Sequence, residues 1–473
     1  MKEKKKKLTP VVKEILVDMD TPVTAFLKLQ DKGAIFLLES VEKEERVGRY
    51  SIIGFKASHV LKIIDEKIWL NGAEMSSSRE DFMTTMRDIF YRNEVKQESI
   101  RSPFVGGWIG YFGYGIARFF ENIPSRLTPN SGLPEGIFHF VKETVIFDHF
   151  KKTAEIIALI DTESDHQKAQ KRVEEIAREM AIPYKKKAGR KKPVTSAPYS
   201  NFTERAFKRA VERALGYIFA GDVFQVVLSQ KFTGNTSSHP FDIYRMLRSI
   251  NPSPYMFYLN FDDFQLIGSS PEALVKLKDG TAMIRPIAGT RPRGKTHEDD
   301  IYLARELLHD DKENAEHIML VDLARNDLGK VCLPHSIKVE EKMIVERYSH
   351  VMHLVSEVKG SLNPGCDALE LFKAAFPAGT VTGAPKIRAM EIIEELEKEK
   401  RGPYSGAVGY FGLDGNTDLC IAIRMIVFQR GMYSIQAGAG IVADSIPANE
   451  YRETLDKMAG MFQAVKASEE LSK

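Results

Sequence analysis

Apolar residues recur with helical spacing beyond residue 200: Phe207, Ala210, Val211, Ala214, Leu215 and Ile218 share one face, and Gly221 closes the run. Asn201 is placed to cap that helix, with Glu204 at its third position. The next segment, Val223 to Phe232, reads as a strand. Farther on, Leu274 to Lys278 and Thr281 to Ile284 flank Asp279-Gly280, a dipeptide that favours a two-residue hairpin turn. That hairpin leaves Glu272 at the mouth of its first strand and Ala288 just past its second. Lys312 to His317 opens another helical run through Ile318, Met319, Leu320 and Leu323, with Glu313 and Glu316 on one face. Strands and helices alternate irregularly, without the cadence of a doubly wound parallel sheet, so the fold class is α+β.

One pattern occurs twice. Gly107 to Gly113 and Gly406 to Gly412 both read Gly-x-x-Gly-Tyr-Phe-Gly, as strands with close backbone approach. Related sheets in two lobes, facing each other, would produce such an echo. Composition breaks most sharply at 185–198, dense in lysine and punctuated by Gly189, Pro193 and Pro198. It reads as a basic exposed loop or linker between an N-terminal lobe, 1–184, and a second region, 199–473.

The 473 residues, 43% hydrophobic and 28% charged, describe an ordinary globular protein with room for a large core. A net charge of +2 does not call for nucleic acid, and the lysine runs at Lys2 to Lys7 and Lys185 to Lys192 carry no interleaved aromatics. They read as solvated tail and linker. Thr9, Pro10, Lys13 and Glu14 interrupt any signal-peptide core, and no stretch reaches the roughly 20 apolar residues of a membrane span. No membrane role is expected, and the cytoplasm is the default. Cys332, Cys366 and Cys420 show neither metal spacing nor a disulfide framework. None sits in a Gly-x-Cys-x-Gly elbow, so the chain is not expected to hydrolyse glutamine itself.

Candidate chemistry lies in carboxylates. Glu450 and Glu453 repeat the spacing of Glu313 and Glu316, and four carboxylates from two distant segments can surround a hard cation such as Mg²⁺ if they converge. Calcium and manganese share that preference for oxygen. Each pair alone reads more readily as a solvated helix face. Glu272, in Ser269-Ser270-Pro271-Glu272, ends a strand and alone would be a surface residue.

Several longer motifs carry a resemblance. Pro286-Ile287-Ala288-Gly289-Thr290-Arg291-Pro292-Arg293-Gly294, Asp322 to Gly329, Phe376 to Lys386 and Gly438 to Ser445 together resemble the chorismate-utilising enzymes, and within them anthranilate synthase component I. The resemblance covers nearly the whole chain. It implies two interwoven lobes whose stacked, mainly antiparallel sheets carry outer helices and hold chorismate and Mg²⁺ between them, with 199–473 as the chorismate-binding catalytic region. Within the family, lysine at position 288 marks aminodeoxychorismate synthase and alanine marks anthranilate synthase; a lysine amine can attack the substrate covalently and a methyl group cannot. Ala288 therefore implies a diffusible nucleophile, ammonia. The water-adding relatives place a lysine base where this chain has Gln225, which cannot activate water.

The resemblance further assigns Glu313, Glu316, Glu450 and Glu453 to the metal surroundings, and Glu272 to the acid that protonates a departing hydroxyl. His353 matches a pocket histidine whose pKa suits proton transfer, and His350 reads as packing or capping. Thr380 and Tyr404 match pocket donors, Arg424 and Lys457 match cations for the substrate carboxylates, and Gly289, Thr290, Gly438, Ala439 and Gly440 match its backbone walls. Lys457 also stands four residues after Glu453, a structural ion-pair spacing. Glu39, Ser40 and Arg49, with Pro254, Tyr255 and Met256, match the region where relatives bind tryptophan as a feedback inhibitor. There Glu39 would take the ammonium, and the second segment would offer surface to the indole.

The implied activity is the first step of tryptophan biosynthesis: chorismate plus ammonia to anthranilate and pyruvate. Ammonia would come from a separate glutamine amidotransferase subunit, often in a heterotetramer. The alternatives are aminodeoxychorismate synthase and a catalytically silent tryptophan-binding scaffold.

Overall fold

The computed structural model describes residues 5–40, 48–95, 102–128, 132–185, 195–347 and 351–472. His350 and the stretch 186–194 of the basic segment lie outside the described residues. Two large, mainly antiparallel sheets stack face to face. Phe36, Ile146, Phe257 and Leu266 of one and Ile109, Tyr111, Phe138 and Leu419 of the other share a single apolar core. On the outer face of the first sheet, helices Pro22–Leu29, His166–Ala181, Pro240–Ile250 and Pro447–Ala467 bury a second core that includes Phe26, Val173, Leu247 and Met461. Stacked sheets with outer helices make the α+β class plain.

Strands from before and after the basic segment enter both sheets. In the first, Ala34–Glu39 lies between Tyr50–Phe55 and Tyr255–Asn260. In the second, Gly107–Phe112 pairs with Ala407–Gly412. The repeated pattern therefore marks two neighbours in one sheet and not two facing sheets: Gly110 stands opposite Gly409, and Gly107 opposite Gly412. The glycines permit close approach of paired strands, since a Cβ on Gly110 would lie 2.0 Å from the Ile137 carbonyl oxygen of the neighbouring strand Gly136–Val141.

Three other expectations shift. The helix begins at Glu204, capped by the Thr203 hydroxyl, which accepts from the Ala206 amide. Asn201 is committed elsewhere, its carbonyl accepting from the Lys231 amide and its NH₂ donating to Glu399. The strand after it spans Gln225–Asn235. Lys6 and Lys7 are no loose tail either; they open the strand Lys6–Leu16 and pair with Asp161 and Glu94. Among the described residues no helix is long and apolar enough to cross a membrane.

Candidate active site

The hairpin forms as the Asp-Gly dipeptide dictates. Ala273–Lys278 pairs antiparallel with Thr281–Ile284, and Asp279 and Gly280 take positive φ of 50° and 78°. The chain continues into the strand Ile287–Pro292, which pairs with Val351–Ser361 and bulges between Ala288 and Thr290. Gly289 is the bulge residue, with φ 63°. A Cβ there would stand 3.0 Å from Leu307 and 3.1 Å from the Glu313 carboxylate, so glycine lets the backbone reach Glu313. The bulge also sets Thr290 opposite His353. His353 Nδ1 donates to the Gly289 carbonyl at 2.9 Å and lies 3.1 Å from the Thr290 hydroxyl. That bond selects the tautomer whose Nε2 carries the lone pair. Burial lowers the His353 pKa despite the Gly289 bond, and Arg424 adds to the lowering.

Glu272 emerges just before Ala273–Lys278 and accepts a hydrogen bond from the Thr380 hydroxyl, 2.9 Å from Oε1. Burial raises its carboxyl from 4.5 to about 7, against the opposing pulls of the Thr380 bond and the Lys457 charge. Both residues line a hollow with about 400 Å³ of empty space that opens to solvent. Leu320, Leu323, Ala324 and Asp327 form one wall of it. They continue the face of helix Asp311–Gly329 that carries Glu313 and Glu316.

The cations come from the side of the first sheet, Lys457 from helix Pro447–Ala467 and Arg424 from just before strand Met425–Gln429. Lys457 Nζ donates to the Gly438 carbonyl at 3.0 Å and pairs with Glu453 at 2.6 Å. Arg424 sits at φ 51°, an uncommon backbone state for a side-chain-bearing residue, and its Nη1 donates to the Lys457 carbonyl at 3.0 Å. Gly438, Ala439 and Gly440 belong to the interior of strand Met432–Ile441, paired to Gln225–Asn235, and form no turn. Their bareness makes room for neighbours. A Cβ on Gly438 would meet the Tyr404 hydroxyl at 3.1 Å, and one on Gly440 would meet the Gln225 amide at 2.7 Å. Alternation turns Ala439 away into a buried position.

Glu313 and Glu316, and Glu450 and Glu453 on helix Pro447–Ala467, feel one another. The Glu316 pKa is raised by burial and then by the charges of Glu313 and Glu453; that of Glu450 is raised by burial and by Glu453. Mutual repulsion of this kind is what a divalent cation relieves, and an all-oxygen donor set suits Mg²⁺. Two arms are already engaged, Glu313 by Arg291 at 3.1 Å and Glu453 by Lys457. Accordingly, no three acidic, histidine or cysteine side chains among the described residues are gathered closely enough to hold an ion.

The family model of chorismate binding enzymes matches residues 33–463. The chain is 43% identical to anthranilate synthase component 1 of Aquifex aeolicus, over 98% of this chain and 95% of that one. It is 42% identical to the same component of Thermus thermophilus, over 98% and 99% of the two chains. The chain belongs to the chorismate binding enzymes. Its fold matches the crystal structure of anthranilate synthase component I from Streptococcus pneumoniae with a TM-score of 0.80 at 37% identity, covering 94% of this chain and 98% of that one. A menaquinone-specific isochorismate synthase from Escherichia coli shares the fold at 20% identity, with a TM-score of 0.72 over 97% and 95% of the chains.

In this chorismate binding enzyme the two segments matched to an inhibitor site do meet, since Glu39 stands opposite both Met256 and Ser51 in the first sheet. Their side chains divide between its faces. Glu39 and Met256 point to the outer helices, where Glu39 Oε2 accepts from the Tyr244 hydroxyl and from Arg248. Tyr255 points into the space between the sheets and donates to Asp418 at 3.0 Å. Ser40, next after Glu39, alternates to that inner side, and its buried hydroxyl has no hydrogen-bond partner among the described residues. Pro254 is buried. Arg49 is occupied by Asp148 at 2.8 Å and stacks over the Tyr50 ring.

Two supports of the site went unassigned in the sequence. Arg291 gathers Glu306, Asp310 and Glu313, which fixes the bulged strand to the helix start. Lys386 pairs with Asp327 at 2.7 Å and ties the Gly379–Val381 turn region to the same helix. Both sit inside the motifs quoted above, so the opposite charges at Asp327 and Lys386 were the available signal.

Proposed function

We propose that the chain is the aminating subunit of an anthranilate synthase, which converts chorismate and ammonia to anthranilate, pyruvate and water. The observation that carries this reading is Glu272, a buried carboxyl raised to about 7 and bonded to the Thr380 hydroxyl at the hollow, in a chain that has alanine and not lysine at position 288. Ammonia adds at ring C2 while the C4 hydroxyl leaves as water, taking the Glu272 proton. Loss of the C2 proton then expels the enolpyruvyl group as pyruvate and makes the ring aromatic. His353 is suited to that half, because its lowered pKa keeps the imidazole neutral with the Nε2 lone pair available.

Lys457 and Arg424 bring positive charge to a substrate that carries two carboxylates, with the Gly438–Gly440 backbone and Tyr404 as the adjoining wall. Gln225 supplies an amide where a base would be needed to activate water. Glu313, Glu316, Glu450 and Glu453 would hold Mg²⁺, which when bound offsets the negative charge of substrate and glutamates together. Glutamine hydrolysis by a component II subunit would supply the ammonia. Tryptophan, binding between the sheets against Ser40 and Tyr255, would inhibit by favouring a less active arrangement of them.

Chorismate with an ammonium salt and Mg²⁺ is the deciding assay. Fluorescent anthranilate and pyruvate should appear in equal amounts. An amino product that still carries its enolpyruvyl group would overturn this assignment in favour of aminodeoxychorismate synthase.

A further inference from the structure

We propose that Arg401, by gripping the Val381 carbonyl, holds the Thr380 hydroxyl on the Glu272 carboxyl and so acts as a positioning residue for the aminating reaction, a role that rests on the function given above. Arg401 lies between helix Lys386–Leu396 and strand Ala407–Gly412 and is 2% exposed. A guanidinium placed so deeply must find an acceptor for each of its N–H groups. All five are taken. Nε donates to the two Glu397 oxygens at 3.2 and 3.0 Å, and Nη2 donates to Glu397 Oε1 at 2.7 Å. Nη2 also donates to the Val227 carbonyl at 2.7 Å, while Nη1 donates to the Val381 carbonyl at 2.7 Å and to the Ser405 hydroxyl at 3.2 Å.

These acceptors sit on the walls of the site. Val381 follows Thr380, whose hydroxyl reaches Glu272 Oε1 at 2.9 Å. Val227 stands two residues after Gln225 in strand Gln225–Asn235, and its amide donates to the Thr382 carbonyl at 2.8 Å. The turn that carries Thr380 is therefore tied to that strand twice, once directly and once through the guanidinium. Ser405 follows Tyr404, whose ring centre lies 5.7 Å from the guanidinium carbon. Glu397 Oε1 accepts from the Ser229 amide at 2.8 Å and from its hydroxyl at 2.7 Å, and that hydroxyl accepts from the Gln436 amide at 2.8 Å. Gln436 precedes Gly438 by two residues in strand Met432–Ile441. One side chain thus sets the Thr380 turn against the segments that carry Gln225, Tyr404 and Gly438.

The geometry calls for arginine. The Val381 and Val227 carbonyls engage different ends of one rigid planar fork, whereas a lysine ammonium is a point donor on a flexible stem. Lysine would keep a charge opposite Glu397 without spanning both carbonyls. A turn released at Val381 lets Thr380 shift, and a misplacement of about 1 Å is enough to cost on the order of 100-fold in rate.

The test compares Arg401→Lys, Thr380→Val and the double variant in the full chain, with chorismate, an ammonium salt and Mg²⁺. Arg401→Lys should lower kcat at least tenfold and leave the KM for chorismate within about threefold, since Lys457 and Arg424 keep their bonds to the Gly438 and Lys457 carbonyls. The Thr380 bond and the Lys457 charge both oppose the burial that raises Glu272, so loss of the bond moves the high-pH decline of kcat upward. Arg401→Lys should move it as Thr380→Val does, and the double variant should move it no farther than Thr380→Val alone. Arg118→Lys is the control: it weakens another buried pair on the same helix, Arg118 with Glu394, and should lower the melting temperature without moving the decline. A decline that stays in place in Arg401→Lys, or a double variant whose kcat loss is the product of the two single losses, would overturn the proposal. If the lysine chain does not fold, Arg401→Ala is purified and assayed with millimolar guanidinium, because about 310 Å³ of empty space lined by Leu133, Pro403 and Tyr404 adjoins the side chain. Guanidinium should restore turnover and the pH profile of the parent, and methylammonium should not. Equal rescue by both ions, rescue by neither, or a chain that still does not fold would make Arg401 a stabilising residue alone and overturn its positioning role. A parent that forms no anthranilate would remove the functional reading, and the role of Arg401 with it.

Discussion

Replacing Glu272 by glutamine should make the protein more stable and nearly inactive at the same time. The folded chain holds this carboxyl near 7, whereas the unfolded chain ionises it at its ordinary 4.5. Between those values the folded state keeps a proton that the unfolded state has lost, so stability falls as pH rises through that window and levels off above it. The two pKa values correspond to about 3 kcal/mol. Solvent reaching the hollow screens the charge and brings the figure toward about 2 kcal/mol.

Glutamine never ionises, and its carbonyl can still accept from Thr380. At pH 5 variant and parent should unfold at nearly the same urea concentration or temperature. At pH 8.5 the variant should gain about 2–3 kcal/mol, or about 2–3 °C for a chain of this length. Turnover should fall at least 100-fold because the proton donor is gone. A stability difference that is the same at pH 5 and pH 8.5 would refute the reasoning, since Glu272 would then titrate as an ordinary carboxyl.

Three further outcomes follow from neighbouring contacts. With free ammonia held constant, kcat should decline above about pH 7 with loss of one proton; Thr380→Val removes a bond that favours the carboxylate, so the decline should move to higher pH, as a pH–rate profile will show. Glu316→Gln relieves repulsion from Glu313 and Glu453 and removes a candidate ligand. It should raise the Mg²⁺ concentration needed for half-maximal turnover at least tenfold and shrink the Mg²⁺-induced rise in Tm, and an unchanged metal titration would count against ligation. Ser40→Phe, at a buried hydroxyl with no hydrogen-bond partner among the described residues, should abolish tryptophan inhibition while leaving uninhibited turnover within about threefold.

Local chemistry was the legible part of the sequence. Asp279-Gly280 dictates its hairpin because only residues tolerant of positive φ close a two-residue turn, and the face bearing Glu313, Glu316, Leu320 and Leu323 follows from helical spacing. The cap was misplaced at Asn201 because Asn and Thr are both capping types; the distant Lys231 amide engages Asn201, and Thr203 caps the helix. Partner choice among strands was not legible. Nothing local says that Gly107–Phe112 pairs with Ala407–Gly412, since side-chain alternation sets a strand's faces and not its neighbour. Alternation does forbid adjacent residues from sharing a face, so the division between Tyr255 and Met256 was readable in advance. Convergence of the two glutamate pairs came from the family resemblance, because spacing within each helix carries no information about the other.

The seam between Gly107–Phe112 and Ala407–Gly412 also sets a timetable for synthesis. At ribosomal speeds of about 5–20 residues per second, the first strand leaves the exit tunnel roughly 15–60 seconds before its partner exists. Ala34–Glu39 likewise waits for Tyr255–Asn260. Through that interval the nascent chain carries open strand edges and uncovered apolar faces, a state prone to sticking to its neighbours. Fragments cut near residue 190 would keep those edges permanently, so the two parts should be soluble only when produced together.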